Sequence, residues 1–257
     1  LDLATEYYQK AVQGNISPKF LRLAYWNLII LTEKRGNYTE LVRSLKIFYE
    51  KTGSHGAREK AESIINKSIW SDNEEAVARY RAGLALKGKS ADEAAAEFNK
   101  ALSADSSFLA PKFELGMIRM EKGDSQGALS YFQEIASRVP FHGDAHLVVG
   151  QIHFERKSYR DAVFHFGRAL EFSMMGGETR YSVYLRRGTS HFKLGDYEQA
   201  GRDLDRALSF KLNRVEPFLL MSAIQIKQEK YDDALRSLGN ARRLKPEHTG
   251  ILYQMGS

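Results

Sequence analysis

The chain has 257 residues, 43% of them hydrophobic, with a formal charge of +6 and a pI near 9.3. That is enough apolar material for an extensive core, and neither a low-complexity tract nor a Gly/Ser linker marks a domain boundary. The absence of cysteine excludes disulfides, zinc–thiolate sites and thiol catalysis, and no stretch approaches the ~18 uninterrupted apolar residues of a membrane span.

Compartment stays open, because a cysteine-free chain suits a reducing cytosol and a periplasmic or secreted setting equally well. The sequence begins at Leu1 inside a helical pattern, without initiator methionine, basic leader or cleavage site, as expected of a fragment of a longer protein. The basic balance invites a nucleic-acid partner, but "GRDLDRAL" and "KQEKYDDALRS" alternate charge as solvated helix faces do. The densest basic cluster, Arg242, Arg243 and Lys245, falls in the last turn of a predicted helix, where cations complement the dipole. No nucleic-acid partner is expected.

In chain order, "ATEYYQKAVQGN" reads as the second helix of a pair, with Ala4, Tyr8 and Ala11 in columns that recur downstream. Residues 22–55 form a first full unit carrying Leu28, Gly36, Tyr38, Leu41, Leu45 and Phe48. The stretch 56–74 is an irregular helical junction. Ala61, Ile64, Ile65 and Trp70 allow a short amphipathic helix there, either a degenerate repeat or an extra helix interrupting the stack. Residues 75–108 are a looser copy that keeps Ala94, Phe98 and Ala101.

The clearest unit is 109–142, with an apolar helix from about 110 to 121, the turn "KGD", and a second helix from about 125 to 137 before Pro140. After 34 residues Gly116 recurs as Gly150, Ala128 as Ala162 and Phe132 as Phe166, defining the unit 143–176. "EFSMMGGETRYS" slips the register by four residues, and the pattern resumes at 181–214 and 215–248. "TGILYQMGS" reads as the opening of another helix. Small residues at Gly116 and Ala128 leave room for two helices to approach, while Leu115 and Phe132 fill the space around them.

Chemistry-bearing residues do not converge. His142 and His146 lie four apart, on one helix face. However, His146 and His153 occupy packing columns, and His191 shares a column with His153, so no metal is expected. There is no Gly-x-Ser-x-Gly elbow and no phosphate-binding Gly-x-x-x-x-Gly-Lys loop. Glu97, Glu114 and Glu134 are spaced as surface residues rather than as a catalytic pair. Neither enzymatic activity nor a cofactor is expected.

"YWNLIILTEKRGNYTELVRSLKIF", "FELGMIRMEKGDSQGALSYFQEI" and "YLRRGTSHFKLGDYEQAGRDLDRAL" resemble the tetratricopeptide repeat family. The resemblance covers residues 4–250 apart from 56–74. It departs from the family pattern at the 174–180 slip, at Ser222 where glycine is usual, and at Lys157 and Glu229 in the turn-glycine column. It implies an all-α, right-handed superhelical solenoid of antiparallel helix pairs with a concave peptide-binding face. The positions it assigns to that face are Trp26 and Ile30, then Arg79, then Phe113, Met117 and Met120. Leu147, Gln151 and Phe154 follow, then Leu185, Arg186, Thr189 and Phe192, and finally Leu219 and Ile226. Such a surface is either inter-repeat packing or an exposed apolar groove. The expected function is a non-enzymatic interaction scaffold or adaptor. Its partner is another protein, bound through an apolar peptide or amphipathic helix. The alternative is a self-assembling structural module, which leaves homo-oligomerisation open, with a basic-surface nucleic-acid or cell-wall binder behind it.

Overall fold

A computed structural model describes residues 18–210 and 213–247. The lone helix expected at 4–15 and the "TGILYQMGS" end lie outside the described residues. Among the described residues the chain is entirely helical between its turns. It runs α1 (Pro18–Lys34), α2 (Tyr38–Thr52), α3 (His55–Ser68), α4 (Glu74–Leu86), α5 (Ala91–Ala104), α6 (Leu109–Glu121) and α7 (Ser125–Arg138). There follow α8 (Gly143–Glu155), α9 (Tyr159–Phe172), α10 (Gly177–Lys193), α11 (Tyr197–Leu208), α12 (Glu216–Lys227) and α13 (Tyr231–Leu244). Consecutive helices pack as antiparallel pairs in a repeated helix-pair solenoid.

The hairpin turns explain why each pair reverses where it does. At five of them one residue adopts left-handed backbone: Gly36, Gly123 and Gly195, but also Lys157 (φ 61°) and Glu229 (φ 59°). The next residue's N–H then reaches back five positions, as Asn37 to Thr32 (3.2 Å), Asp124 to Arg119 (2.9 Å), and Asp196 to His191 (2.9 Å). This satisfies the last free carbonyls of the first helix. The same residue starts the second helix, because the side chains of Asn37, Asp124 and Asp196 accept N–H bonds from Glu40, Gly127 and Gln199. One short stretch thus stops one helix and starts the next.

The α4–α5 hairpin, counted from Gly83 to the cap residue Ser90, is one residue shorter than the same span from Gly116 to Asp124. It has no left-handed residue, and Ser90 caps α5 directly.

The chain divides into two compact units, one of residues 1–148 with 171–174, the other of 149–170 with 175–257. In the first, Tyr80, Phe98, Phe108, Leu115 and Ile118 form a continuous core across α4, α5 and α6. At the near end of the slip between repeats the chain is held closely. A β-carbon on Gly143 would lie 2.2 Å from the backbone nitrogen of Ser173, so the end of α9 is pressed onto the start of α8. Ser173 also donates its hydroxyl to Asp144. In the second unit Ala200, Leu204 and Ile224 pack with Leu185, Phe192 and Met221, and Val215, Leu238 and Ala241 close the α12–α13 pair.

The 56–74 stretch holds α3, whose buried Ala57 and Ala61 are its small contact positions. Lys60 pairs with Glu33 of α1 (2.6 Å), and the Arg58 guanidinium lies 5.7 Å from the Tyr49 ring of α2. Beyond α3 the chain belongs to the next layer. The Ile69 carbonyl accepts the N–H groups of Leu109 and Ala110, and Trp70 packs edge-on against Tyr80 and Phe108.

Candidate interaction surfaces

First helices present one side chain per pair at each position of the expected binding face. In the first unit α1 is the most open. Phe20, Leu23 and Trp26 are 63%, 55% and 54% exposed, and with Arg22 and Phe48 they line a shallow cavity of about 420 Å³. Ile30 continues that stripe and is half-buried. Further along, Phe113 is half-buried, edge-on against Phe132 (5.4 Å) and beside the His142 ring (5.4 Å). Met117, Met120 and Leu147 are half-buried as well.

Arg79 is exposed, with its guanidinium 3.4 Å from Glu97. The shorter α4–α5 span moves α4 by one residue, so that Gly83 faces Phe98 as Gly116 faces Phe132. Tyr80, not Arg79, therefore stands in the Phe113 column, and Leu84 (42% exposed) stands in the Met117 column. Tyr80 is buried between Phe98 and Phe108, and its burial, reinforced by the Glu114 charge, pushes its phenol up to about 12. The missing residue in "KGKS", set beside "EKGDS", is the signal from which Leu84 is found.

In the second unit Phe154 is the aromatic centre. Half-buried, it contacts Phe166 and Tyr159, and the Arg186 guanidinium of α10 lies 5.6 Å from its ring centroid. This cation–π contact leaves Arg186 on an apolar bed with donors still available to a carboxylate. Leu185 and Phe192 are half-buried against the Leu204 cluster, and Lys193 sits 5.8 Å from the Phe192 ring. Thr189 donates its hydroxyl to the Leu185 carbonyl (2.8 Å). Leu219 packs against the α12–α13 core, Gln151 is half-buried, and Ile226 is 43% exposed.

Four of the histidines make contacts within the repeats. His142 is buried, and its Nδ1 accepts the Ala145 N–H (3.2 Å) at the start of α8. His146 Nε2 lies 3.2 Å from the Pro140 carbonyl. His153 and His165 stack, with centroids 5.7 Å apart. Among the described residues no three His, Cys, Asp or Glu side chains are grouped to hold a metal, and no helix is long and apolar enough to cross a membrane.

A tetratricopeptide repeat model matches residues 113–173, and the model for anaphase-promoting complex, cyclosome, subunit 3 matches 155–241. The crystal structure of YrrB, described as a TPR protein with an unusual peptide-binding site, overlays with a TM-score of 0.63. Identity there is 20%, over 75% of this chain and 98% of YrrB. These helix pairs are tetratricopeptide-like repeats. The repeat fold is shared with MamA (residues 41 to the end) from Desulfovibrio magneticus RS-1, at TM-score 0.55 and 13% identity over 69% of this chain and 99% of MamA.

Among curated proteins the repeats match cell division cycle protein 27 homolog A of Arabidopsis thaliana, 34% identical over 107 residues. That match covers 41% of this chain and 15% of the relative. DnaJ homolog subfamily C member 7 homolog of Dictyostelium discoideum is 24% identical over 133 residues, covering 47% of this chain and 25% of the relative. The chain thus spans a quarter or less of the length of either relative.

Proposed function

We propose that this chain is a non-enzymatic scaffold that binds an apolar peptide or amphipathic helix on the first helices of its repeats. The observation that carries the reading is Arg186 lying over Phe154, flanked by Leu185 and Phe192. Apolar anchors of the ligand would settle on the aromatic and leucine side chains, and an acidic group would meet the guanidinium fork. Trp26 and Leu23 offer the first unit a second, more exposed apolar stripe. The peptide-binding site named for YrrB, and the subunit role named for the anaphase-promoting complex family, support an assembly function of this kind.

Peptides selected from a display library against the wild-type chain test the proposal by titration. Phe113 and Phe154 help to fill the space within their own pairs, so truncating them weakens the fold together with any site. Arg186→Glu and Ile226→Ala are cleaner probes, with Trp26→Ala for the first unit. Removing a central anchor should weaken binding by ~2 kcal/mol, with circular dichroism and melting unchanged. If all three variants fold and bind the selected peptides as wild type does, the first-helix surface is not the site.

A further inference from the structure

The second helix of each pair carries two columns that its own partner helix does not cover. In the column of Arg43 stand Ala96, Ser130, Phe164, Arg202 and Arg236, all exposed. In the column of Lys46, Asn99, Gln133 and Asp205 are exposed, while Gly167 and Gly239 are half-buried. The first pair departs from this pattern. Lys46 is only 4% exposed and Arg43 is half-buried. The structure places residues from 128 positions downstream against this face. Arg43 Nε donates to Glu171 Oε1 (2.5 Å), and the guanidinium lies 5.6 Å from the centroid of the Phe172 ring. All three residues belong to the first unit.

The two sides of this contact are held differently. Phe172 and Ser173 are clamped, since Phe172 is fully buried and the chain at Ser173 presses on Gly143. On the other side, α1, α2 and α3 form a body tied internally by Lys60–Glu33 and by Arg58 over Tyr49. It continues into the next layer at the Ser68–Ile69 step, where the Ile69 carbonyl and the Trp70 ring are already committed to α4 and α6. The Arg43 contact ties this body to the end of α9 in addition to that covalent step.

We propose that Arg43 is a latch that fastens the α1–α3 body to the end of α9, and that breaking this contact frees the body to turn about the Ser68–Ile69 step while its helices stay folded. The Arg43 and Glu171 side chains are 34% and 29% exposed, so the ion pair is partly screened and weak enough to open reversibly. Release leaves Arg43 a partner, because Glu40, three residues earlier on α2, also accepts from it. That alternative lowers the cost of opening. Salt, or an anionic partner that competes for Arg43, would shift the balance toward the open form. The latch does not depend on where a peptide binds.

The cysteine-free chain permits a direct measurement. Spin labels at Tyr38→Cys on α2 and Ser137→Cys on α7, both exposed positions of the first unit, report the separation of the two bodies by pulsed electron resonance. The latched protein should give one narrow distance. Arg43→Glu should lengthen and broaden it at unchanged helicity, and the charge swap R43E/E171R should bring the narrow distance back. Arg43→Gln serves the same purpose if the glutamate variant loses helicity. Wild type in ~1 M salt, where screening acts within about 3 Å, should move in the same direction as these variants. A distance that is broad in wild type, unchanged in both Arg43 variants, or not restored by the swap overturns the proposal.

Discussion

A β-carbon added to Gly116 would lie 2.8 Å from the ring of Phe132, sixteen residues further along the same pair. Gly83 and Phe98 stand in the same relation (2.5 Å), as do Gly150 and Phe166 (2.8 Å). Where the facing residue is leucine the constraint relaxes. Gly188 would place its β-carbon 3.2 Å from Asp203, 3.3 Å from the Ala200 carbonyl and 3.5 Å from Leu204, and the matching position of the next repeat, Ser222, carries a side chain. Serine is accommodated at 222, where it is buried and donates its hydroxyl to the Leu219 carbonyl (2.8 Å). Gly116→Ala and Gly150→Ala should each lose ~1–3 kcal/mol through overpacking, and Gly188→Ala should lose clearly less. Urea midpoints of the three variants decide the order.

The left-handed turn residues give a stabilising prediction. Lys157 and Glu229 hold a backbone conformation that costs a residue with a β-carbon roughly 1 kcal/mol and glycine little. Gly36, Gly123 and Gly195 already take that position in the other long turns. Lys157→Gly and Glu229→Gly should therefore raise the unfolding midpoint, by less than 1 kcal/mol once glycine's greater freedom in the unfolded chain is counted. Glycine at Lys89 in the α4–α5 turn, where φ is not positive, should instead lower it.

How far the sequence is legible follows from what its columns encode. Between α6 and α9 the closest contacts repeat their residue types, as Gly116 and Gly150, Ala128 and Ala162, or Phe132 and Phe166, and the pairing can be read directly. The α3 stretch cannot be read so far. Ala57, Ala61, Ile64 and Ile65 suit any amphipathic helix, and what places it is non-local, through Lys60–Glu33 and the Ile69 carbonyl. Arg79 misleads because one residue is missing between Gly83 and Ser90, downstream of it in the chain. The expected binding face shares a deeper ambiguity. Helical periodicity puts Trp26, Phe113 and Phe154 in related columns, yet only tertiary packing leaves Trp26 largely exposed while Phe113 and Phe154 lean on their second helices.

Arg187 and Asp203 form a two-pronged ion pair within the α10–α11 pair, with contacts of 2.8 and 2.6 Å. Asp203 is buried and lies beside Gly188, so its carboxylate has little access to water if the guanidinium is removed. Arg187→Ala should cost ~3 kcal/mol or more, since it strands a buried charge. The exposed Lys122–Asp92 pair provides the comparison, and Lys122→Ala should cost under ~1 kcal/mol. Equal losses in denaturant titrations would show that burial does not govern these pairs.

His142 makes part of the stability pH-dependent. Burial holds its imidazole below the usual value, against the opposing pull of Asp144. Its Nδ1 accepts the Ala145 N–H, a role open only to an unprotonated nitrogen. In the unfolded chain the same ring takes up its proton near pH ~6.5. Above that pH neither state is protonated and the full stability is present. Below it the unfolded chain binds the proton first, and stability falls until the folded ring titrates as well. The slope is at most about 1.4 kcal/mol per pH unit for this one group. Asparagine caps a helix without titrating, so His142→Asn should reduce the difference in urea midpoint between pH 7.5 and pH 5.5. An undiminished difference in H142N would assign the acid sensitivity to other groups.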